Sequence, residues 1–311
     1  MNTTMSSQNI NPAFVCCGRT ITSQEIKEIQ ETIKLFPNLS HQELIQTICE
    51  HLQWYTAAGA NKTDACTKML KKLEAQKVIQ LPAKRVSKIQ KVIKQHKVLI
   101  TSSTAPQPVM ACKLNELDNV TIEIANDKES VALFNEFIMR YHYLGFKKPF
   151  GYTMRYFIKS NQDILGCILF SGAAKSIGIR DKWIGWTENQ RLKNLGWVIN
   201  NSRFLLFPWV KVKNLVSYIW GQVLRNIQSD WQSKWGFTPV LLETFIDPVL
   251  YNGSSYKASN FKHIGMTKGT GLVRRGKSYT TSPKKIYMKP LTKNFRKILC
   301  SEKLMSGGIY E

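Results

Sequence analysis

Apolar side chains recur at helical spacing in three short segments of the first third of the chain. The first two segments begin at Thr22 and Ser40, each with a glutamate three residues later, which is the spacing of a capping box at a helix N-terminus. The third runs from about Asn61 to Gln76, with apolar residues on one face and lysines on the other. The pattern therefore predicts three amphipathic helices.

A short apolar run follows the third helix at residues 78–81 and stops at Pro82, which predicts a strand. Three helices followed by a strand is the order of a winged helix-turn-helix, whose last helix enters the major groove of DNA. We therefore predict a winged-helix-like helical domain over residues 21–82, after an N-terminal tail of residues 1–20. The alternative is a plain three-helix bundle with a solvated lysine face, because charged helix faces are usually only solvated.

The remaining two thirds of the chain alternate between strand and helix patterns, which predicts an α+β domain with a mixed sheet over residues 120–300. Strands are predicted at 120–125, 151–159, 164–171, 197–207, 239–246 and 286–288. Helices are predicted at 127–141, capped by Asp127, and at 213–235. The stretch from 197 to 246 thus forms a βαβ unit, whose crossover is right-handed. A short tail, residues 301–311, follows.

The charge of the chain is strongly positive and unevenly placed. It has 44 Lys+Arg and 21 Asp+Glu, a formal net charge of +23. Residues 82–110 hold six basic and no acidic side chains, and residues 267–300 hold ten basic and none acidic. Each side chain that neutralises a phosphate releases counterions, so such segments favour a polyanion. We therefore interpret residues 83–119 as a basic linker and expect DNA as a partner.

The predicted DNA contacts are basic side chains of the third helix, of the linker and of the basic C-terminal segment: Lys62, Lys68, Lys71, Lys72, Lys84, Arg85, Arg274, Arg275 and Lys277. No apolar run approaches the roughly 18 residues of a membrane span, and the N-terminus lacks the features of a secretory signal. The seven cysteines include no C-x-x-C pair, so neither a zinc ribbon nor a disulfide framework is predicted. We expect a cytoplasmic protein without a membrane partner.

Two acidic residues at the end of the strand 239–246 are the strongest candidates for chemistry. Glu243 and Asp247 have the i, i+4 spacing that puts side chains on one side of a strand, and carboxylates are preferred Mg²⁺ ligands. The pair predicts a metal site for phosphodiester chemistry. The alternative is structural, with Glu243 bonded to Arg203 or Arg180 and Asp247 capping the following loop.

Two further residues complete the catalytic candidates. His142, after the first helix of the α+β domain, is a possible general base or ligand, although a lone histidine is more often structural. Arg203 lies in an apolar strand and needs a carboxylate or a phosphate as partner. Trp183 and Trp186 are candidates for stacking on unpaired bases, or simply for core packing.

Several polar clusters occur in a fixed order: HYLG at 142–145, RD-x-WIGW at 180–186, NN-x-RFL at 200–205, ETF-x-D at 243–247 and G-x-x-Y-x-A-x-N-F at 253–261. Together they resemble the DruA family of the Druantia anti-phage systems, whose members also occur with transposases. The resemblance spans residues 20 to 275. It implies DNA as a partner, a role in defence against foreign DNA or in its mobility, and other system subunits such as a helicase or effector.

The order of strands and helices in the α+β domain resembles the GNAT acyltransferases, and its last part is similar to the phage Mom proteins. The segment Phe207–Asn214 before the long helix contains no glycine, so its backbone cannot easily wrap the pyrophosphate of acetyl-CoA. Three hypotheses stay open. The chain is a DNA-binding component, a DNA-processing enzyme (a metal-dependent nickase or strand transferase, or a base-modifying acyltransferase), or a subunit that loads an effector.

Overall fold

The structure, a computed structural model, describes residues 14–37, 39–82, 98–149, 151–269 and 282–302. The chain divides into two units, Met1–Val92 and Ile93–Glu311. Among the predicted DNA contacts, five lie outside the described residues: Lys84, Arg85, Arg274, Arg275 and Lys277.

The described part of the first unit contains a hairpin and three helices: β1 Phe14–Cys16, β2 Arg19–Ile21, α1 Ser23–Leu35, α2 His41–His51 and α3 Thr63–Ala75. Thr22 and Ser40 form both predicted capping boxes, so each satisfies a free N–H of its helix. The apolar faces of the helices pack into one core, with Ile29, Leu44 and Leu73 almost fully buried. The three-helix prediction is confirmed.

The strands of the first unit differ from the prediction. The hairpin β1–β2 lies before the helices, where only a tail was predicted, and its turn uses positive φ angles at Cys17 and Gly18. Residues 78–81 form no strand. The N–H of Val78 donates to the Leu73 carbonyl, the Gln30 side chain donates to the Val78 carbonyl, and the N–H of Leu81 donates to the Glu74 carboxylate, so these groups are satisfied without a neighbouring strand. The predicted winged-helix order is therefore not confirmed.

Within its described residues, the second unit is a mixed seven-stranded sheet with helices, which confirms the predicted α+β class. The strands are β3 Val120–Ile124, β4 Met154–Ser160, β5 Asp163–Gly172, β6 Val198–Leu206, β7 Leu241–Ile246, β8 Lys262–Met266 and β9 Lys285–Pro290. The helices are α4 Lys128–Tyr141, α5 Gly178–Ile184, α6 Glu188–Asn194, α7 Leu215–Trp235, α8 Ser254–Ala258 and α9 Phe295–Leu299. The strand order is β3-β4-β5-β6-β7-β9-β8.

Each neighbouring pair in this sheet is antiparallel except β6 and β7, which are parallel and joined by α7. The predicted βαβ unit is therefore present, and the elements predicted between β3 and β7 occur in the predicted order. Helices α5 and α6, between β5 and β6, were not predicted. Helix α4 begins at the predicted cap, where the Asp127 carboxylate accepts two backbone N–H groups. No helix in the described ranges is long and apolar enough to cross a membrane.

The second half of the predicted linker is attached to the second unit. The buried carboxylate of Glu136, on α4, accepts the N–H and hydroxyl of Thr101 and the hydroxyl of Thr104. These donors lower the pKa of Glu136 although burial opposes the change. Residues 101–104 thus lie against α4 instead of forming a free connection.

The two parallel strands part at one point in the sheet. The pairing of β6 with β7 ends at Asn201 and Thr244, after which β6 stays with β5 and β7 with β9. At the same point the register of β6 shifts, because Asn201 and Arg203 oppose consecutive residues of β5 and Ser202 is the extra residue of a bulge. Bulges bend a strand and redirect its side chains. A gap therefore opens between the carboxyl ends of β6 and β7.

Candidate functional site

A cavity of about 480 Å³ fills the gap between β6 and β7. Its walls come from the last residues of both strands, and its mouth from residues 142–144 after α4 and residues 250–256 leading into α8. The volume lies in the range of small-ligand sites, and the carboxyl ends of parallel strands are a common place for them. Of the four predicted catalytic residues, His142, Arg203 and Asp247 line the cavity and Glu243 does not.

Arg203 is the cation of this cavity. It is half-buried, and its guanidinium donates to backbone carbonyls alone, from Nε to Gly145 at 3.3 Å and from Nη1 to Ser202 at 2.6 Å. No carboxylate among the described residues lies within 4.0 Å of it. Burial lowers the pKa of Arg203, yet a guanidinium keeps its charge in proteins. A partly desolvated cation without a carboxylate is a place where an anion binds favourably.

His142 is neutral at physiological pH. Burial and the nearby charge of Arg203 lower its pKa to about 4. Its Nδ1 accepts the N–H of Leu144 at 3.2 Å, and its ring stacks on Tyr143 with centroids 4.8 Å apart. Since one nitrogen accepts, the neutral ring carries its proton on Nε2. This arrangement favours a hydrogen-bond donor at Nε2 over the predicted general base.

Glu243 lies on the part of β7 that is still paired with β6, and it has a structural partner. The side chains of Glu243 and Arg180 are both 0% exposed, and Nη1 lies 2.9 Å from Oε2. The other carboxylate oxygen accepts the N–H of Ala174 at 2.9 Å. Burial raises the pKa of Glu243, and the permanently charged Arg180 opposes this rise. Of the two structural partners considered for Glu243, Arg203 and Arg180, the structure thus has Arg180.

Asp247 follows the end of β7 and is also engaged. Its carboxylate accepts Lys284 Nζ at 3.0 Å, Ser282 Oγ at 3.1 Å and the N–H of Val249 at 3.1 Å. The bonds from Lys284 and Val249 lower its pKa. The i, i+4 argument fails here because Asp247 follows the last residue of β7, Ile246, and its carboxylate bonds to Lys284, whereas that of Glu243 bonds to Arg180.

The structure therefore does not bring Glu243 and Asp247 to one cation site. The oxygens of each carboxylate already accept other donors, and the parts of the chain that are described contain no group of three or more His, Cys, Asp or Glu able to hold a metal ion. A Mg²⁺ ion needs several free oxygen ligands. The side chains do not fit the predicted ion.

The RD-x-WIGW cluster is an internal network beside Glu243. Asp181 accepts from the guanidinium of Arg180 at 2.9 Å and from Trp186 Nε1 at 3.1 Å, which confirms the predicted internal pair. Trp186 is buried, and Trp183 stacks on Phe295 with centroids 5.3 Å apart. Both indoles therefore pack within the protein.

The segment before α7 offers little to a pyrophosphate. It has no glycine, the N–H of Val210 donates to the Phe207 carbonyl at 2.9 Å, and the N–H of Lys211 donates to the Met110 carbonyl at 2.8 Å. Backbone N–H groups of such a loop would have to face the ligand to bind it. These contacts do not favour acetyl-CoA.

Two aromatic residues at the mouth were not predicted as site residues. Tyr143 and Tyr251 are 44% and 55% exposed, and their ring centroids lie 6.0 Å apart. Lys284 Nζ lies 6.0 Å from the centroid of Tyr143. Tyr143 belongs to the HYLG cluster, and Tyr251 lies two residues before the cluster at 253–261, so a large aromatic residue in or next to a polar cluster was the available signal.

The lysines on and just before α3 differ in their solvent exposure and in their hydrogen bonds. Lys68 and Lys71 are exposed. Lys72 donates to the Val15 carbonyl at 3.2 Å, and Lys62 is half-buried, where burial and neighbouring Arg19 lower its pKa. The exposed face predicted for α3 therefore consists mainly of Lys68 and Lys71.

Comparison with known proteins gives one family. The family described as Druantia protein DruA matches residues 70–282, more than half of the 311 residues. No curated protein matches the chain.

Among solved structures, an N-acetyltransferase from Staphylococcus aureus Mu50 is 17% identical over 56% of this chain and 100% of its own, with a TM-score of 0.33. FeeM, an N-acyl amino acid synthase from uncultured soil microbes, is 13% identical over 56% of this chain and 90% of its own, with a TM-score of 0.33. A Bacillus subtilis acetyltransferase in complex with CoA is 11% identical over 56% of this chain and 100% of its own, with a TM-score of 0.31. At these identities and scores the likeness assigns neither an activity nor a ligand to this chain.

Proposed function

Since the chain belongs to the DruA family of Druantia proteins, we propose that it serves a Druantia anti-phage defence system as a DNA-binding component. Membership of the family implies other subunits of such a system, and we expect a helicase or an effector among them. The observation that supports DNA binding best is Arg203, a half-buried cation that lines a cavity and has no carboxylate partner among the described residues.

The charges around the cavity support an anionic ligand. The carboxylate of Asp247 lines the cavity, but the bond from Lys284 neutralises it. His142 adds no charge at neutral pH. Among the described residues around the cavity, one positive charge, that of Arg203, is therefore left uncompensated. Nη2 of Arg203 has no partner in the described part of the chain, and a phosphodiester oxygen is the kind of acceptor that an arginine fork binds.

The distribution of positive charge along the rest of the chain also supports DNA binding. The two acid-free basic segments, 82–110 and 267–300, supply fifteen basic side chains besides Lys284, and Lys68 and Lys71 add two on the exposed face of α3. Such residues contact phosphates without selecting a sequence, and they make affinity depend steeply on salt. We propose that they bind the DNA backbone while Arg203 binds a phosphate inside the cavity.

Fluorescence anisotropy of labelled DNA at several salt concentrations tests this function. We expect binding at ~100 mM salt, with log K falling linearly against log salt. Loss of a hydrogen-bonded charge contact costs about 1.5–3 kcal/mol, so Arg203→Met should weaken binding roughly 10- to 150-fold. The salt slope should fall by about 1.

Arg155→Met is the matched control. Arg155 is also half-buried in the sheet, burial also lowers its pKa, and it lies outside the cavity lining. Its substitution should leave DNA affinity unchanged. A protein that does not retain DNA at ~100 mM salt, or equal losses in the two variants, would contradict the proposal.

The enzymatic alternatives have weaker support. Metal-dependent nicking or strand transfer would need Glu243 and Asp247 to share an ion, and their present partners oppose that. Incubation of supercoiled plasmid with Mg²⁺ or Mn²⁺ tests it, since nicked product that is absent with a folded Glu243→Ala variant would favour an enzyme. Base modification by acyl transfer would need saturable binding of acetyl-CoA, which calorimetry measures.

A further inference from the structure

The mouth of the cavity leaves two aromatic rings partly exposed. The side chains of Tyr143 and Tyr251 keep about half of their surface in contact with solvent, although each could bury a large apolar area in a protein interior. They come from separate segments, one after α4 and one after β7, and lie 6.0 Å apart with their planes inclined at 55°. This leaves two inclined aromatic surfaces at the entrance of a polar cavity.

The aromatic rings and the uncompensated cation lie at the same site. Tyr143 is adjacent to His142 and Arg203 in the cavity lining, and Tyr251 follows the loop that Asp247 caps. Among the described residues, the Lys, Arg, His, Asp and Glu side chains at the site are thus Arg203, neutral His142 and the Asp247–Lys284 pair. An occupant should combine one negative charge with a flat, partly apolar ring.

We propose that this cavity binds one unstacked nucleotide of single-stranded DNA, with its base on Tyr143 and Tyr251 and a flanking phosphate at Arg203. The inference rests on the proposed DNA-binding function and specifies the form of DNA. Bases of a single strand stack on aromatic side chains independently of sequence, while positive side chains follow its backbone. A base in a duplex has both faces covered by its neighbours, so it is not available to these rings.

The remaining lining fits a base edge. Asn252, Ser254 and Ser255 add amide and hydroxyl groups around the mouth, which both donate and accept hydrogen bonds. The Tyr256 hydroxyl donates to the Asn201 side chain at 2.9 Å and holds the floor of the cavity in place. An acidic peptide would satisfy Arg203 equally well but would not require the two rings.

The test compares a labelled oligo(dT) of about 12 nucleotides with an abasic oligonucleotide that has the same number of phosphates. Tyr143→Leu and Tyr251→Leu are each expected to weaken oligo(dT) binding roughly 5- to 150-fold, because stacking contributes about 1–3 kcal/mol per base. Both variants should bind the abasic strand as the wild type does. Tyr218→Leu is the control, because Tyr218 is 44% exposed, like Tyr143, and lies outside this cavity.

A variant that keeps the ring separates stacking from folding. Tyr143→Phe should bind oligo(dT) within about twofold of the wild type. The wild type and Tyr143→Phe should both quench the fluorescence of 2-aminopurine placed in the strand, and Tyr143→Leu should quench it less. Unchanged oligo(dT) affinity in both leucine variants, or an equal loss for the abasic strand, would overturn the inference. Preference for a polyglutamate peptide over oligo(dT) would do so too.

Failure of the inference and failure of the proposed function give different results. Tight binding of duplex DNA that is unchanged by the tyrosine substitutions would support the DNA-binding function and overturn only the proposed nucleotide site. A wild-type protein that binds neither single-stranded nor duplex DNA would overturn both.

Discussion

Removal of the Glu243 carboxylate should destabilise the second unit and should not act by abolishing a metal-dependent reaction. Arg180 and Glu243 are both 0% exposed and lie 2.9 Å apart. Loss of one partner of a buried ion pair costs about 3–5 kcal/mol, because the other charge stays buried without compensation. In Glu243→Ala, Arg180 keeps its bonds to Asp181 and to the Ala174 carbonyl, so we expect the lower end, about 3 kcal/mol.

The opposite substitution should cost more. Arg180→Ala leaves Glu243 with the N–H of Ala174 as its remaining described donor, so we expect about 5 kcal/mol. For a unit of this size 1 kcal/mol shifts the melting temperature by about 2–4 °C, so Glu243→Ala should lower Tm by roughly 6–12 °C. Arg180→Met combined with Glu243→Leu removes both charges and should recover most of the loss.

Urea unfolding followed by tryptophan fluorescence measures these changes. Seven of the eight tryptophans lie in Ile93–Glu311, so the signal reports mainly on the second unit. Compared with Arg180→Met and Glu243→Leu made singly, the double variant gives the coupling energy between the two side chains. The reasoning is refuted if Glu243→Ala unfolds at the wild-type urea midpoint while Mg²⁺-dependent nicking of plasmid is lost.

Three further predictions concern stability. The pKa of His142 is lowered from 6.5 to about 4, so the contribution of the neutral imidazole to the free energy of unfolding is complete above pH 6.5 and is lost as pH falls toward 4. Urea unfolding of His142→Asn at several pH values should lack this part of the pH dependence. Gly166→Ala would place a methyl group against the backbone carbonyl of Leu205, so urea unfolding should show a loss of about 1–3 kcal/mol, and an unchanged midpoint would contradict the close packing. Thr104→Val removes a 2.7 Å bond to the Glu136 carboxylate, so it should cost about 1.5–3 kcal/mol and speed hydrogen exchange at residues 101–104; wild-type exchange would count against the attachment.

The sequence predicted the elements whose signals are local. Thr22, Ser40 and Asp127 stand at the helix starts because a capping side chain and its partners lie within four residues of each other. The hairpin β1–β2 was missed because its turn is Cys17-Gly18, without the asparagine or aspartate that usually marks such turns. Residues 78–81 have a strand composition, but the backbone of Val78 bonds to Leu73 and to the side chain of Gln30, and these contacts override the local preference.

The candidate site was predicted only in part, for a geometrical reason. His142, Arg203 and Asp247 lie far apart in sequence, and it is the parting of β6 from β7 that brings them to one cavity. Glu243 was grouped with Asp247 by strand periodicity, which holds only while the strand continues, and β7 ends between them. The bulge at Ser202 and the approach of Tyr143 to Tyr251 depend on tertiary structure and have no local signature.

The most direct test of DNA binding in the cavity is photocrosslinking of a single strand that contains 5-iododeoxyuridine, followed by peptide mapping of the wild-type protein. We predict crosslinks to Tyr143 or Tyr251, and their loss when unlabelled single strand competes. Crosslinks confined to other surfaces, such as the exposed face of α3, would contradict the account, because the DNA would then bind without entering the gap between β6 and β7.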